Sequence, residues 1–246
     1  MKISLLFRFI VVFVTFMQCG SLLPAATLAD YTFDGDGVAA ISGSHFSATD
    51  ATWGDFSSYY GFSATTNSAY VRADQLSLAF NAGQYLTLTL KADAGYTLNL
   101  ESITLLLGGS TSATATSTGP QFSYAQIRTS ADGFASSLIL SPGSTIEAAT
   151  TTPVGGTTAY LPFTADLTSL GLFDEITLRI YVYSSGTRYN TNYLRLDQVT
   201  LSGDIQPVPE PSVIALFVAA LALGMGAHKR NRHGDGEREQ NNAAKE

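Results

Sequence analysis

The chain has 246 residues, with 13 Lys and Arg against 20 Asp and Glu, a formal net charge of −7, and charged side chains at only 13% of positions. That acidic balance excludes the positive field a nucleic-acid partner needs, and the length leaves about one domain once both termini are set aside as signals. The single cysteine, Cys19, lies close to the N-terminus, so the segment after it can hold neither a disulfide nor a cysteine nucleophile.

At the N-terminus, Lys2 and Arg8 give a positive start, Phe9 to Met17 form an apolar stretch, and small residues populate Pro24 to Ala29. This order reads as a Sec-type signal peptide over residues 1–29, with cleavage expected after Ala29 or after Ala26; an uncleaved anchor is the alternative. A lipid-modified Cys19 is a further alternative, although Phe16-Met17-Gln18 lacks the Leu and small-residue pattern that precedes such cysteines.

Residues 30–206 are rich in Ser, Thr, Gly and Tyr and poor in Lys. Their basic residues are Arg72, Lys91, Arg128, Arg179, Arg188 and Arg195, against fifteen Asp and Glu. The composition suits a solvated antiparallel sheet rather than a helical bundle. Asp34-Gly35-Asp36-Gly37 reads either as a solvated turn or, together with Asp197 from the last strand, as a structural calcium site standing in for the missing disulfides. His45 is the only histidine of this segment, which excludes a histidine-rich zinc site. A serine triad would have to use His45, and no Gly-x-Ser-x-Gly elbow accompanies it, so no catalytic residue is assigned. Two carboxylates would suffice for glycoside hydrolysis, but no spacing nominates a pair.

Next along the chain, Trp53, Tyr59 and Tyr60 cluster in a polar, Gly- and Ser-rich stretch. Leu86, Leu88 and Leu90 then alternate with Thr87, Thr89 and Lys91, as a half-buried strand requires. Further strands are predicted over Leu98 to Leu107, Ser123 to Arg128, Ser137 to Leu140, Tyr160 to Phe163, Ile176 to Val182 and Tyr193 to Leu201. Turn signals separate them at Ala94-Gly95, Asp132-Gly133, Pro142-Gly143 and Ser185-Gly186. Residues 108–119 and 149–158, rich in Ser, Thr and Gly, read as long surface loops. Many short strands with no amphipathic helix between them predict an all-β, antiparallel β-sandwich of the jelly-roll kind.

In the last strand the apolar phase changes from Leu194 and Leu196 to Val199 and Leu201. One extra residue near Asp197-Gln198 explains this as a bulge that turns Asp197 off its ladder position. Tyr181, Tyr183, Tyr189 and Tyr193 surround Arg188 and Asn190-Thr191-Asn192 just before it. With Trp53, Tyr59 and Tyr60 they are candidate sugar-stacking rings, since aromatic faces pack on pyranoses while Asn, Arg and Asp bond hydroxyls; the structural alternative is that they cap the core and cover a strand. The run Leu194 to Gly203 resembles the closing strand of exported galactose-binding-like jelly rolls. Gly119-Pro120, followed by Arg128-Thr129-Ser130-Ala131-Asp132-Gly133-Phe134, is similar to passenger domains of exported proteins that carry the tail described next.

After Gln206 come Pro207-Val208-Pro209-Glu210-Pro211-Ser212, an apolar run from Val213 to Ala227, and then His228, Lys229, Arg230, Arg232 and His233. At 1.5 Å per residue the apolar run spans about 22 Å against a hydrocarbon core of about 30 Å, marginal for a permanent anchor. The basic stop Lys229, Arg230 and Arg232 would hold that end in the cytoplasm and leave the domain outside. This arrangement resembles the PEP-CTERM sorting signal of Gram-negative bacteria, here residues 207–233, with Pro209, Glu210 and Pro211 as the recognition motif. The resemblance implies an exosortase-type processing partner after Sec export, a membrane-associated transit state, and a destination in the envelope, at the cell surface or in an exopolysaccharide matrix. A polar tail, 234–246, departs from the usual pattern; an ordinary C-terminal anchor is the alternative. The expectation is therefore a non-catalytic glycan-contacting module needing no cofactor beyond structural calcium, with a carboxylate-dependent glycan-acting enzyme as the alternative.

Overall fold

The structure, a computed structural model, describes residues 26–111, 121–152, 159–185, 187 and 189–208. In chain order the strands are β1 (Ala26–Tyr31), β2 (Ala40–Ile41), β3 (Phe46–Ala48), β4 (Thr52–Trp53), β5 (Tyr60–Ser63), β6 (Ser68–Arg72), β7 (Tyr85–Ala92), β8 (Tyr96–Thr111), β9 (Gln121–Thr129), β10 (Leu140–Ser141), β11 (Ala148–Thr152), β12 (Leu161–Asp166), β13 (Leu172–Phe173), β14 (Glu175–Ser185) and β15 (Asn192–Pro207). Among the described residues, helix is confined to short 3-10 turns at Ala73–Gln75, Ser130–Asp132 and Thr168–Leu170. None is long and apolar enough to cross a membrane.

The strands form two sheets, β10-β12-β8-β15-β1-β2 and β11-β9-β14-β7-β3, with every pairing antiparallel. Numbered along the chain, the long strands β1, β7, β8, β9, β11, β12, β14 and β15 run first-eighth-third-sixth in one sheet and second-seventh-fourth-fifth in the other. That interleaving of two Greek keys is a jelly roll, and it places the first and last strands side by side.

Period-two alternation decides where the core lies. Leu86, Leu88 and Leu90 of β7 and Ile176, Leu178, Ile180 and Val182 of β14 face Leu98, Leu100, Ile103, Leu105 and Leu107 of β8 and Leu194, Leu196, Val199 and Leu201 of β15, all buried. The partner positions Thr87, Thr89, Thr177 and Arg179 point outward, half-buried. The bulge expected in the last strand is present: the β15–β8 register shifts between Leu196 and Val199, keeping both inside. A second shift, between Ser202 and Gly203, accommodates an extra residue in β8, whose inward set steps from Leu100 to Ile103.

Four expectations need correction. No continuous strand runs from Ser137 to Leu140: Ser137 makes an isolated bridge to Arg128, and β10 is Leu140–Ser141. Residues 108–111 are not loop but the end of β8, paired with β15 from Gly108↔Arg195 to Thr111↔Asn192; the sheet-facing register carries the strand on where composition suggested a loop. Residues 149–152 likewise belong to β11, paired with β9. The Tyr160 to Phe163 strand is shifted, running instead over Leu161–Asp166. At the turns, Gly95 and Gly133 take φ of 86° and 69°, the left-handed conformation their dipeptides signalled.

The domain ends beside the expected signals. Leu28 and Ala29 are buried in β1, where Ala29 pairs with Leu201 and Ile41. At the other end, β15 runs through Pro207, which pairs with Tyr96, and Val208 N–H donates to Gly95 O at 2.8 Å. The remainder of the expected signal peptide, the Pro209-Glu210-Pro211 motif, the apolar run and Lys229, Arg230 and Arg232 lie outside the described residues.

Candidate functional site

One edge of β15 is shared between two partners. Tyr193, Leu194, Arg195 and Leu196 pair with Arg72, Val71, Tyr70 and Ala69 of β6, whereas Val199 to Gly203 pair with β1. The change of neighbour falls at the Asp197-Gln198 bulge. Gln198 uses its freedom to donate to both Asp30 carboxylate oxygens, at 2.7 and 2.8 Å, and Thr200 Oγ1 adds a third bond to the same group at 2.9 Å.

Outward positions on this sheet form two cross-strand rows. In one, Arg195 stands between Gly108 of β8 and Tyr70 of β6, and Tyr70 is opposite Gly61 of β5. In the next, Tyr193 stands between Ser110 and Arg72. Glycines at both ends of the first row withhold side chains where neighbours would otherwise fill the surface. An open cleft of about 510 Å³ results, lined by Phe62, Ser63, Ala64, Thr65, Tyr70, Tyr193 and Arg195. Tyr70 and Tyr193 meet edge to face with centroids 5.9 Å apart, and the Arg195 guanidinium lies 5.7 and 5.4 Å from their ring centres.

Hydroxyl groups orient Arg195. Its Nε donates to Ser110 Oγ, and its Nη1 donates to Thr66 Oγ1 at 2.7 Å and Ser68 Oγ at 2.9 Å. Burial pulls its proton affinity down, while the phenols of Tyr160, Tyr193 and Tyr70 act the other way; a guanidinium so placed stays charged. Tyr160 is itself pushed upward, chiefly by burial.

The structure brings together some of the aromatic candidates and separates others. Tyr193 lines the cleft. Tyr59, 56% exposed, lies beside it: the Arg72 guanidinium stacks 3.3 Å from its ring centre, and Arg72 is paired with Tyr193 in register. Tyr60, 40% exposed, leans on Phe56. Trp53 is half-buried against the core, edge-on to Phe56 at 5.4 Å, with Nε1 donating to Gly61 O at 3.2 Å. Tyr189 occupies the turn before β15, where its carbonyl accepts the Asn192 N–H. His45 sits at φ 69°, stacked 3.9 Å from Tyr96. Phe62, Tyr70 and Arg195 were missed by the sequence reading. The alternation of Tyr70 and Arg72 with buried Ala69 and Val71 carries the signal for the first of these strands.

On the opposite sheet, Arg128 and Arg179 lie directly across from one another and are stacked on rings. Phe80 covers Arg128 at 4.1 Å, while Tyr85 and Phe134 flank Arg179 at 4.3 and 4.0 Å. Arg128 is spent on structure: it donates to Ser137 Oγ, Gln126 Oε1 and the Phe134 and Ala135 carbonyls. Asp132 closes the same loop by accepting the Ala135 and Ser136 N–H groups at 3.1 and 2.8 Å. The Arg128-to-Phe134 motif of the sequence is thus a self-bonded loop that seats Phe134 on Arg179.

Of the three calcium candidates, two approach one another. Asp197, left at the junction of β6 and β1 by its bulge, has its carboxyl pushed up by burial and then by the Asp34 carboxylate. Asp34 also accepts the Thr32 hydroxyl at 3.0 Å, whereas Asp36 accepts the Val38 N–H at 3.1 Å. Among the described residues no group of three His, Cys, Asp or Glu side chains is placed to hold a metal, and two carboxylates fall well short of the roughly six to eight oxygens calcium takes. A carboxyl raised in the folded state opposes folding once ionised, so its cost is present at neutral pH and relieved as pH falls through its folded value. Asp197→Asn is therefore expected to melt above the parent chain at pH 7 in chelator, with the gap closing near pH 4. Thermal scans at both pH values check this, and a calcium arm that raises only the parent would restore the metal.

No family model and no curated protein matches the chain. Among solved structures, a family 29 carbohydrate-binding module complexed with mannohexaose is similar at a TM-score of 0.28 and 12% identity, over 74% of this chain and 94% of that one. The CBM22-1 xylan-binding domain from Paenibacillus barcinonensis is similar at 0.27 and 14%, over 76% and 97%. Superposition this loose bears on neither ligand nor site, and the jelly-roll assignment rests on strand order.

Proposed function

We propose that this chain is a non-catalytic surface or matrix protein whose jelly roll contacts exopolysaccharide or envelope glycans at the β5-β6-β15 cleft. The observation that carries the reading is the cleft itself: Tyr70, Tyr193 and Phe62 offer ring surface, while Ser63, Thr65 and Arg195 offer hydroxyl and N–H groups to sugar hydroxyls. Its size lies within the range of about 300–1,000 Å³ usual for small-ligand pockets.

Export rests on the sequence of the two termini. Sec delivers the chain, and an exosortase-type enzyme reads Pro209-Glu210-Pro211 while the short apolar run and Lys229, Arg230 and Arg232 hold it in the membrane. Of the two candidate signal cleavages, the one after Ala26 keeps Leu28 and Ala29 in β1, whereas the one after Ala29 cuts through a paired strand. Intact mass of the protein recovered from the cell surface reads both cuts; recovery of an unprocessed Glu246 end rejects processing at the tail.

Retention of the full chain on immobilised exopolysaccharide, run beside a reducing-sugar release assay, tests the glycan reading. Retention without release is the expected result. The elevated Asp197 carboxyl beside Asp34 is the one observation favouring an enzyme. Sugar release that disappears in Asp197→Asn would replace the binding reading with hydrolysis.

A further inference from the structure

We propose that the β5-β6-β15 cleft selects an acidic saccharide, and that the Arg195 guanidinium receives the carboxylate of a uronic acid unit there; the inference rests on the glycan reading above. Residues 30–206 carry fifteen Asp and Glu against six Lys and Arg, so a basic side chain in this domain has carboxylates in excess to pair with. Arg72 takes one, gripping Asp74 through Nε and Nη2 at 2.6 and 2.7 Å. Lys91 takes another, Glu175 at 3.0 Å. Arg195 takes none: among the described residues the ion pairs are those two and His45 with Asp93. Residues 112–120, 153–158, 186 and 188 contain no Asp or Glu by sequence.

The partners Arg195 does have are neutral hydroxyls, and they leave one edge available. Ser110 holds Nε, and Thr66 and Ser68 together occupy Nη1. No hydrogen bond within the described domain is assigned to Nη2, which retains two N–H donors. A partly desolvated cation with only hydroxyl acceptors is under-compensated, and a carboxylate oxygen is the acceptor that gains most from it, since charge-assisted bonds are roughly twice as strong as neutral ones. No Asp or Glu lines the cleft to repel an anion. Tyr70 and Tyr193 flank the guanidinium, so a pyranose ring stacked on either one carries its exocyclic carboxylate within reach of Arg195. Of the two arginines on the other sheet, Arg128 has its donors consumed by the carbonyls of its own loop, whereas Arg179, also without a carboxylate partner, has its guanidinium covered by the Tyr85 and Phe134 rings.

The test uses the full chain in mild detergent and three oligosaccharide probes: oligogalacturonate, oligomannuronate and oligoguluronate. Each is titrated against its carboxyl-reduced, neutral counterpart, and a sulfated neutral oligosaccharide forms a further arm. At least one uronate is expected to bind tenfold or more tightly than its reduced form, with the preference shrinking as salt rises. Arg195→Gln is expected to bring the uronate down to the affinity of its own reduced form, abolishing the preference, and Arg195→Lys to restore part of it. Equal affinity for acidic and reduced forms would overturn the inference while leaving the glycan reading intact. Preference for the sulfated probe, or a uronate preference that survives Arg195→Gln, would also overturn it. No binding to any probe would remove both. The acid-to-neutral ratio and its salt dependence are read on the unaltered chain, so a variant that fails to fold does not blunt the test.

Discussion

Gly203→Val is expected to lower the thermal unfolding midpoint by roughly 6–12 °C, the equivalent of about 3 kcal/mol in a domain of this size. Gly203 lies at the register shift where β8 carries an extra residue against β15. A Cβ placed on it would meet Asn99 O at 2.2 Å and Leu100 Cα at 3.0 Å, both backbone atoms of the facing strand. A rotating side chain could yield; a paired backbone can do so only by separating the two longest strands of the sheet. Those strands supply Leu98 to Leu107 and Leu194 to Leu201 to the core, so loosening them weakens burial on both sides of the shift. Gly95→Ala separates this effect from the general cost of replacing glycine. Gly95 has φ 86° and nothing within 4 Å of an added Cβ, so only backbone strain of about 1–2 kcal/mol is expected. Chemical and thermal denaturation of the two variants beside the parent give the comparison. A Gly203→Val midpoint no lower than that of Gly95→Ala would mean that the close approach is absent.

How much of this was legible in the sequence depends on how strongly each stretch alternates. β7 and β14 were readable because their leucine and isoleucine phases are uninterrupted, and the Asp197-Gln198 bulge was readable because the phase visibly slips from Leu196 to Val199. The same kind of slip, from Leu100 to Ile103 in β8, was present and passed over, although it explains why Gly203 faces it. β3, β4 and β5 were not legible: they are two to four residues long and contain Gly, Ser and Thr, and what holds them is pairing to β6 and β7 rather than any pattern of their own. Because β6 was missed with them, the cleft could not be assembled. Tyr193 and the exposed Tyr59 were nominated from local clustering, but Arg195 and Tyr70 are 125 positions apart in sequence and meet only through the β15–β6 register, by subtraction of their residue numbers. Trp53 shows the converse. Its sequence neighbourhood resembles a sugar-stacking surface, yet β4 pairs with β7 and turns the indole against Phe56 and the core. The first-to-last strand adjacency of the jelly roll puts the Asp34 carboxylate within electrostatic reach of Asp197, whereas Asp36 accepts the Val38 N–H two residues on.

The ring next to Arg195 offers the most direct measure of what the cleft does. Tyr193→Ala is expected to weaken retention on exopolysaccharide about tenfold, or about 1.4 kcal/mol, with little change in stability. The expectation follows from position: Tyr193 is half-buried, points away from the core between Ser110 and Arg72, and makes its ring contact edge-on with Tyr70, which leaves a face toward the cleft. Truncation removes that face and one of the two rings beside the guanidinium, but opens no cavity under the sheet. Its fold cost should therefore be limited to the Tyr70 pairing, about 0.5–1.5 kcal/mol. Tyr193→Phe, which keeps the ring and drops the hydroxyl, should retain most binding if stacking dominates. Trp53→Ala reverses the pattern: it should cost stability, because the indole packs on the core and bonds Gly61 O, and leave affinity per folded molecule near the parent value. Affinity electrophoresis paired with thermal scans reads both axes for each variant. Unchanged retention in Tyr193→Ala together with lost retention in folded Trp53→Ala would move the site off the β5-β6-β15 face altogether. The coupling between Tyr193 and Arg195 can then be taken from the double variant: if one sugar unit touches both, the two losses fall short of adding, because either truncation already releases it.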